Sequence, residues 1–267
     1  TLIAPHIHQP HTPKSSHKHI YSPSIHTMPT TASTTATASS TLCLITGASR
    51  GFGLSCALSL SEKFKSTLQL VLLSRSKLPQ ELEEGLKGNG THFKHCQLDL
   101  ADIDTLEENF THVLSTLKTL PPTTSQILIN NAGSLGVLAP LTSQPLQNLH
   151  KNITFNLTSS SYISSTFASQ YPTSTIVNVS SLAAITPFKT WGLYCACKSA
   201  RDMYHKTLAL ENPNLAVLNY APGAMDTDMQ SEIRSSPTCD VDLKSHFIEA
   251  KGKGDLVEPR VSADRLR

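Results

Sequence analysis

The sequence predicts a single α/β domain of three layers, a doubly wound parallel sheet with helices on both faces. Three observations lead there. From residue 42 onward, short apolar runs of strand length alternate with longer helical patterns. The runs are aliphatic throughout, as in Leu70-Val71-Leu72-Leu73, and not alternating, which is what strands covered on both faces require. The first run leads directly into a glycine-rich turn followed by a helical pattern. In chain order the strands fall at 42–46, 69–74, 95–98, 126–130, 175–180 and 216–220. Helices between them fall at 53–65, 80–88, 102–117, 147–170 and 194–211. Strict alternation of this kind implies right-handed crossovers and a parallel sheet. Pro121-Pro122 and the stretch 133–145 punctuate loops and not domain boundaries, and no internal repeat is visible.

Composition narrows the function. The 267 residues carry 22 basic and 20 acidic side chains, too even a balance for a nucleic-acid binder. No apolar run approaches the ~20 residues that span a bilayer, so no membrane partner is expected. The net charge of +2 is unevenly placed. Residues 1–41 hold Lys14, Lys18, six of the twelve histidines and no acid, and the first acidic residue is Glu62. Removing those two lysines leaves 20 basic and 20 acidic residues in 42–267, a neutral domain. From Met28 to Thr41 nine of fourteen residues are Ser or Thr, so the segment 1–41 reads as a disordered Ser/Thr/His/Pro-rich tail. An organelle transit peptide would want arginine and an amphipathic helix. Met28 is a second candidate start, which would make 1–27 upstream sequence. The tail histidines lie in no fixed geometry, and the six cysteines (Cys43, Cys56, Cys96, Cys195, Cys197, Cys239) form no zinc or disulfide framework. No metal is expected, and the thiols suit a reducing, cytoplasmic setting.

The glycine turn reads Thr46-Gly47-Ala48-Ser49-Arg50-Gly51-Phe52-Gly53. Its three glycines permit a tight turn, close approach of backbone to a pyrophosphate and close helix–strand packing. The helix that follows would present free N–H groups and a positive dipole end to the phosphates. The second strand ends at Ser74-Arg75-Ser76, where an NAD-preferring fold would place an acid. Arg75 and Arg50 would instead pair a 2′-phosphate, so NADP(H) is the expected cofactor.

Tyr194 and Lys198 stand four residues apart on a predicted helix and so share a face. A phenol of ordinary pKa ~10 is a poor acid–base catalyst near neutrality, and a neighbouring ammonium would favour its phenolate. Ser181 closes the fifth strand thirteen residues upstream, where its hydroxyl could hold a carbonyl oxygen.

These motifs, in order and with Asp99, Asn130-Asn131-Ala132-Gly133, Asn156 and Pro222-Gly223 between and after them, resemble the short-chain dehydrogenase/reductase family from Leu42 to Arg265. The resemblance implies a Rossmann fold and NADP(H)-dependent carbonyl reduction by Ser181, Tyr194, Lys198 and Asn156. Asn156 would hold a water in a proton relay. Leu98 and Asp99 would meet the adenine, Asn131, Ala132 and Gly133 the cofactor's flank, and Thr227 the carboxamide, with Met225 to Gln230 lining the nicotinamide side. Further stretches resemble the branch of that family that reduces the side-chain ketone of sepiapterin in tetrahydrobiopterin biosynthesis. They include Pro187-Phe188-Lys189 ahead of Trp191, Ala200-Arg201-Asp202-Met203 and Pro222-Gly223-Ala224-Met225-Asp226-Thr227-Asp228-Met229. Ser181, Leu182, Tyr194 and Gly223 would then touch the pterin, and a homodimer through the helices at 147–170 and 194–211 is implied. The family continues past Val261-Ser262-Ala263 with a last strand and a C-terminal aspartate that anchors the pterin. Neither has a counterpart before Arg267, so the sheet is expected without that strand, as a fragment or a shorter protein. Two other functions stay open: a broader carbonyl or diketone reductase, and a non-catalytic dinucleotide-binding regulator.

Overall fold

The computed structural model describes residues 40–267. The tail at 1–41 therefore lies outside the described residues, apart from Ser40 and Thr41 at its end. Six strands form one parallel sheet: β1 (Thr41–Thr46), β2 (Leu68–Ser74), β3 (His92–Gln97), β4 (Ser125–Asn130), β5 (Thr175–Val179) and β6 (Ala216–Tyr220). They lie in the order β3-β2-β1-β4-β5-β6, with every neighbouring pair parallel. The order reverses between β1 and β4, and crevices at such a switch point are where open α/β sheets bind ligands.

The central strands are buried along their whole length. Cys43, Leu44 and Ile45 of β1 and Val71, Leu72 and Leu73 of β2 are wholly inaccessible. Helices cover both faces: α1 (Gly51–Phe64), α2 (Gln80–Gly88), α3 (Ile103–Lys118), α4 (Leu146–Ile153), α5 (Ser159–Gln170) and α6 (Gly192–Glu211). One core gathers Leu44, Val71, Phe110 and Phe167 on the face of α3 and α5. The opposite core gathers Ile45, Cys56, Leu72 and Leu82 beneath α1 and α2.

Three departures from the expected elements have physical reasons. β3 begins at His92, not residue 95, because it is an edge strand whose residues are mostly accessible, so His92 and Lys94 replace the expected aliphatics. The helix expected at 147–170 is interrupted by a wider π turn, Thr154–Thr158, between α4 and α5. Such turns lodge one extra residue and frequently mark functional sites, and this one carries Asn156. Beyond β6 the chain forms α7 (Asp228–Ser235), α8 (Val241–Lys253) and α9 (Pro259–Asp264). α9 is fastened to the sheet by the Tyr220 hydroxyl, which donates to the Ser262 carbonyl at 2.9 Å, and by Ser262 Oγ, which donates to the Pro222 carbonyl at 3.0 Å. The Ser59 hydroxyl of α1 donates to Asp264 at 2.5 Å. Among the described residues β6 forms the outer edge of the sheet.

Candidate active site

A cleft of about 860 Å³ opens over the carboxyl ends of the strands. Its phosphate end is built by the turn after β1. Gly47 and Gly51 have φ of 68° and 54°, left-handed values that a side chain would strain. Arg50, the N-cap of α1, is extended and makes no side-chain cap, so the N–H groups of the first turn are left to a ligand. Thr46 locks this turn to the end of β4. Its hydroxyl oxygen accepts the N–H groups of Asn131 and Ala132, both at 2.9 Å, while Asn131 Nδ2 donates to the Thr46 and Gly47 carbonyls.

At the far side of that turn Arg50, Arg75, Ser49 and Ser76 gather. The Ser76 hydroxyl donates to Ser49 Oγ at 3.0 Å, Arg50 pairs with Asp228 at 3.2 Å, and Arg75 lies 4.0 Å from Asp99. Both arginine side chains are about two-thirds exposed (65% and 63%), so they can turn toward an anion.

Tyr194, Lys198 and Ser181 converge in the middle of the cleft. Tyr194 is buried, and burial pushes its phenol up. A hydrogen bond with Ser181 and the positive charge of Arg201 pull the other way. Lys198 is held by a 2.6 Å hydrogen bond from Nζ to the Val179 carbonyl, with Nζ 5.5 Å from the Tyr194 ring centroid. Burial and the nearby Arg201 depress this amine well below its ordinary range. Ser181 ends β5's extension and accepts the Ala183 N–H at 3.1 Å, which fixes its side chain.

Asn156 does not reach the cleft wall. It sits behind it, with Oδ1 accepting the Ser134 N–H and Nδ2 donating to the Ser134 carbonyl, both at 2.9 Å. The wall at Gly133 is where Asn156 and Lys198 approach each other: a Cβ there would lie 3.4 Å from Asn156 Oδ1 and 3.7 Å from Lys198 Nζ. Gly53 also lies off the wall, packed under Gly47, and Asp99 stands outside it beside Arg75. The remaining residues singled out for the cofactor line the cleft, from Gly47, Ser49, Arg50, Gly51 and Phe52 through Arg75, Ser76 and Leu98 to Asn131, Ala132 and Gly133. Met225, Thr227 and Gln230 line it as well, as do Gly223 and Leu182, which follows Ser181 in the chain.

Of the apolar end of the cleft the sequence assigned only Met229, within the stretch 225–230. Phe188, Trp191, Met229, Ile233 and Phe247 close this end. Trp191 stacks on Phe247 at 5.9 Å with 9° between the planes and meets the Tyr194 ring edge-on at 6.1 Å. Phe247 comes from α8, which carries too many polar residues to announce an inward face, so no signal pointed to it.

The chain matches the short chain dehydrogenase family model over residues 41–238. It is 39% identical over 240 residues to the sepiapterin reductase of Bos taurus, covering 85% of this chain and 88% of the relative. It is 29% identical over 232 residues to the benzil reductase ((S)-benzoin forming) of Bacillus cereus, covering 84% and 91%. Among solved structures the KRED1-Pglu enzyme superposes with a TM-score of 0.74 at 22% identity, covering 85% of this chain and 93% of that one, a likeness of fold.

Proposed function

This chain belongs to the short-chain dehydrogenase/reductase family, oxidoreductases of a nicotinamide dinucleotide, and we propose that it reduces the side-chain ketone of a sepiapterin-type pterin with NADPH. The reading rests on one observation above others: Ser181, Tyr194 and Lys198 meet in a cleft that also holds an uncapped, glycine-rich helix start. The cleft suits a dinucleotide. The turn at Gly47 and Gly51 leaves room for a pyrophosphate, and Oε1 of Gln230, buried on the wall, has no partner in the protein, so it is an acceptor free for a carboxamide N–H. Arg50, Arg75 and Ser76 would hold the 2′-phosphate, Lys198 the ribose hydroxyls, and Thr227 with Gln230 the carboxamide.

When bound, NADPH supplies the hydride that reduces the carbonyl carbon. The Ser181 hydroxyl donates to the carbonyl oxygen and steadies the charge that develops there. Tyr194 gives its phenolic proton to that oxygen, and Lys198 in its protonated form favours the phenolate left behind. Asn156, fixed between Asn152 and Ser134, would hold a water that returns the proton by way of Lys198. The protein is proposed to act as a homodimer in the cytoplasm.

A second reading, a broader diketone reductase, is favoured by the aromatic end of the cleft at Phe188, Trp191 and Phe247 and by the benzil reductase relative. NADPH oxidation measured with sepiapterin and with benzil separates the two. Tyr194→Phe should abolish turnover with either while NADPH still binds, as followed by cofactor fluorescence. Turnover retained in that variant would sink the assignment, and so would wild-type protein that binds NADPH yet reduces neither compound.

A further inference from the structure

Arg201 is the one long cationic side chain of α6 that is wholly inaccessible, and it stands behind the cleft wall without lining the cleft itself. Three of its five N–H groups donate to neutral acceptors. Nε donates to Asn178 Oδ1 at 2.9 Å, Nη1 to the Ala132 carbonyl at 3.0 Å and Nη2 to the Asn130 carbonyl at 2.8 Å. Among the described residues no carboxylate forms an ion pair with it. An unpaired buried cation is expensive, and structures keep one where a special role offsets its desolvation.

The next residue completes a staple. The Asp202 carboxylate accepts from Ser180 Oγ at 2.7 Å and from Asn178 Nδ2 at 3.0 Å, and its carbonyl accepts from Asn219 Nδ2 at 3.1 Å. Arg201 therefore grips the end of β4, where Asn131–Gly133 forms the cleft wall, while Asp202 grips the ends of β5 and β6 just before Ser181. Both project from the helix that carries Tyr194 and Lys198, one turn further on.

We infer that Arg201 is a positioning residue for the proton transfer at Tyr194, a fixed positive charge held behind the cleft by the carbonyls of β4. This rests on the carbonyl-reductase reading above. A guanidinium stays protonated through the working range and cannot swing away, because three hydrogen bonds fix its plane. Burial brings it down only to about 10, with Tyr194 and Asp202 holding it up. Coulomb attraction then favours the Tyr194 phenolate, while repulsion favours the uncharged form of Lys198. The groups facing this cluster are Cys195, Cys197, Lys198, Asp202 and His205 on α6 itself, with Ser181 from the end of β5. β4, β5 and α5 contribute the neutral side chains of Asn130, Asn178 and Ser164.

The test is the pH profile of kcat for oxidation of benzoin with NADP+, a direction in which Tyr194 must be phenolate to accept the hydroxyl proton. In Arg201→Met the acid limb should move up by about one pH unit, the size of effect a neighbouring charge exerts. Turnover near neutrality should fall about tenfold and return at alkaline pH. Arg201→Lys, which keeps charge without the fork, should hold the wild-type limb. A purely structural arginine would lower kcat evenly at every pH, and an Arg201→Met limb in the wild-type position would overturn the inference. If the Met variant does not fold by thermal melting, Arg201→Gln, which keeps hydrogen-bond donors without the charge, decides: a limb moved up supports the inference and an unmoved one overturns it. Wild-type protein inactive in both directions would refute the reductase reading alone. Tyrosinate absorbance of the NADP+ complex, each protein against its Tyr194→Phe counterpart, then reads the same shift without turnover.

Discussion

Replacing Gly53 by alanine should disable cofactor binding with a minimal change of mass. A Cβ at residue 53 would lie 2.3 Å from the Gly47 carbonyl oxygen and 2.6 Å from Asn131 Nδ2. Carbon and oxygen need more than 3 Å, so the two backbones must part by about 1 Å, in line with the cost of ~1–3 kcal/mol for overpacking a filled site. Both atoms that must move belong to the phosphate turn or its brace. Asn131 Nδ2 would leave the Thr46 and Gly47 carbonyls, which it holds at 2.9 Å and 3.2 Å. If the strain is relieved by moving the turn, binding must restore it, and ~1–3 kcal/mol corresponds to an affinity loss of about 5- to 150-fold. NADPH fluorescence titration gives the affinity and thermal melting the stability. Gly252→Ala is the control: it lies in α8 with nothing within 4 Å of the added carbon, so it should leave binding alone and raise helix stability by up to ~1 kcal/mol. NADPH binding by Gly53→Ala within twofold of wild type, with an unchanged melting temperature, would refute the packing argument.

Two further outcomes follow from charges. Arg75→Met should raise KM for NADPH about tenfold and leave KM for NADH nearly unchanged, the lower end expected for a charged hydrogen bond from an exposed side chain; equal changes for both cofactors would count against a 2′-phosphate contact. His205 is fully buried, accepts or donates with Ser164 Oγ at 2.8 Å, and is pulled by burial from 6.5 down to about 4. Between those values the unfolded chain binds a proton that the folded chain refuses. Stability should therefore decline as pH falls below 6.5 and level off near 4, a loss of about 3 kcal/mol at about 1.4 kcal/mol per pH unit. Denaturant unfolding across that range measures it, and His205→Gln should lack this component.

Most of the fold could be read from the chain because its signals are local. A strand covered on both faces is aliphatic whatever its neighbours, and a helix announces its period, so the order of β1 to β6 and of the helices between them followed from residues 42–220, with α4 and α5 read as one helix. What escaped were places where the environment decides. β3 is polar because it is an edge, and its first residue, His92, therefore carries no strand signal. α7 and α8 lie beyond the sheet and bury only Gln230 and Ile233 in the one and Phe247 in the other, too few to print a pattern.

The site divides along the same line, and Asn156 shows why. Tyr194 and Lys198 share a helix face, so their meeting is written in a spacing of four. The partner of Asn156 is Ser134, and that contact exists only because the chain widens into a π turn at Thr154–Thr158. The same widening places Ser159 Oγ within reach of both the Thr154 carbonyl, at 2.9 Å, and the Leu100 carbonyl, which share its one proton. No residue in Thr-Phe-Asn-Leu-Thr forces that geometry. It is imposed by what Asn156 and Ser159 must reach, two loops at 134 and 100 that are brought near by β3, β4 and the packing of α5. Arg201 is the extreme case: as one charged residue on a helix it reads as a solvated face, and only the closure of β4 and β5 around it makes it the most buried cation in the site.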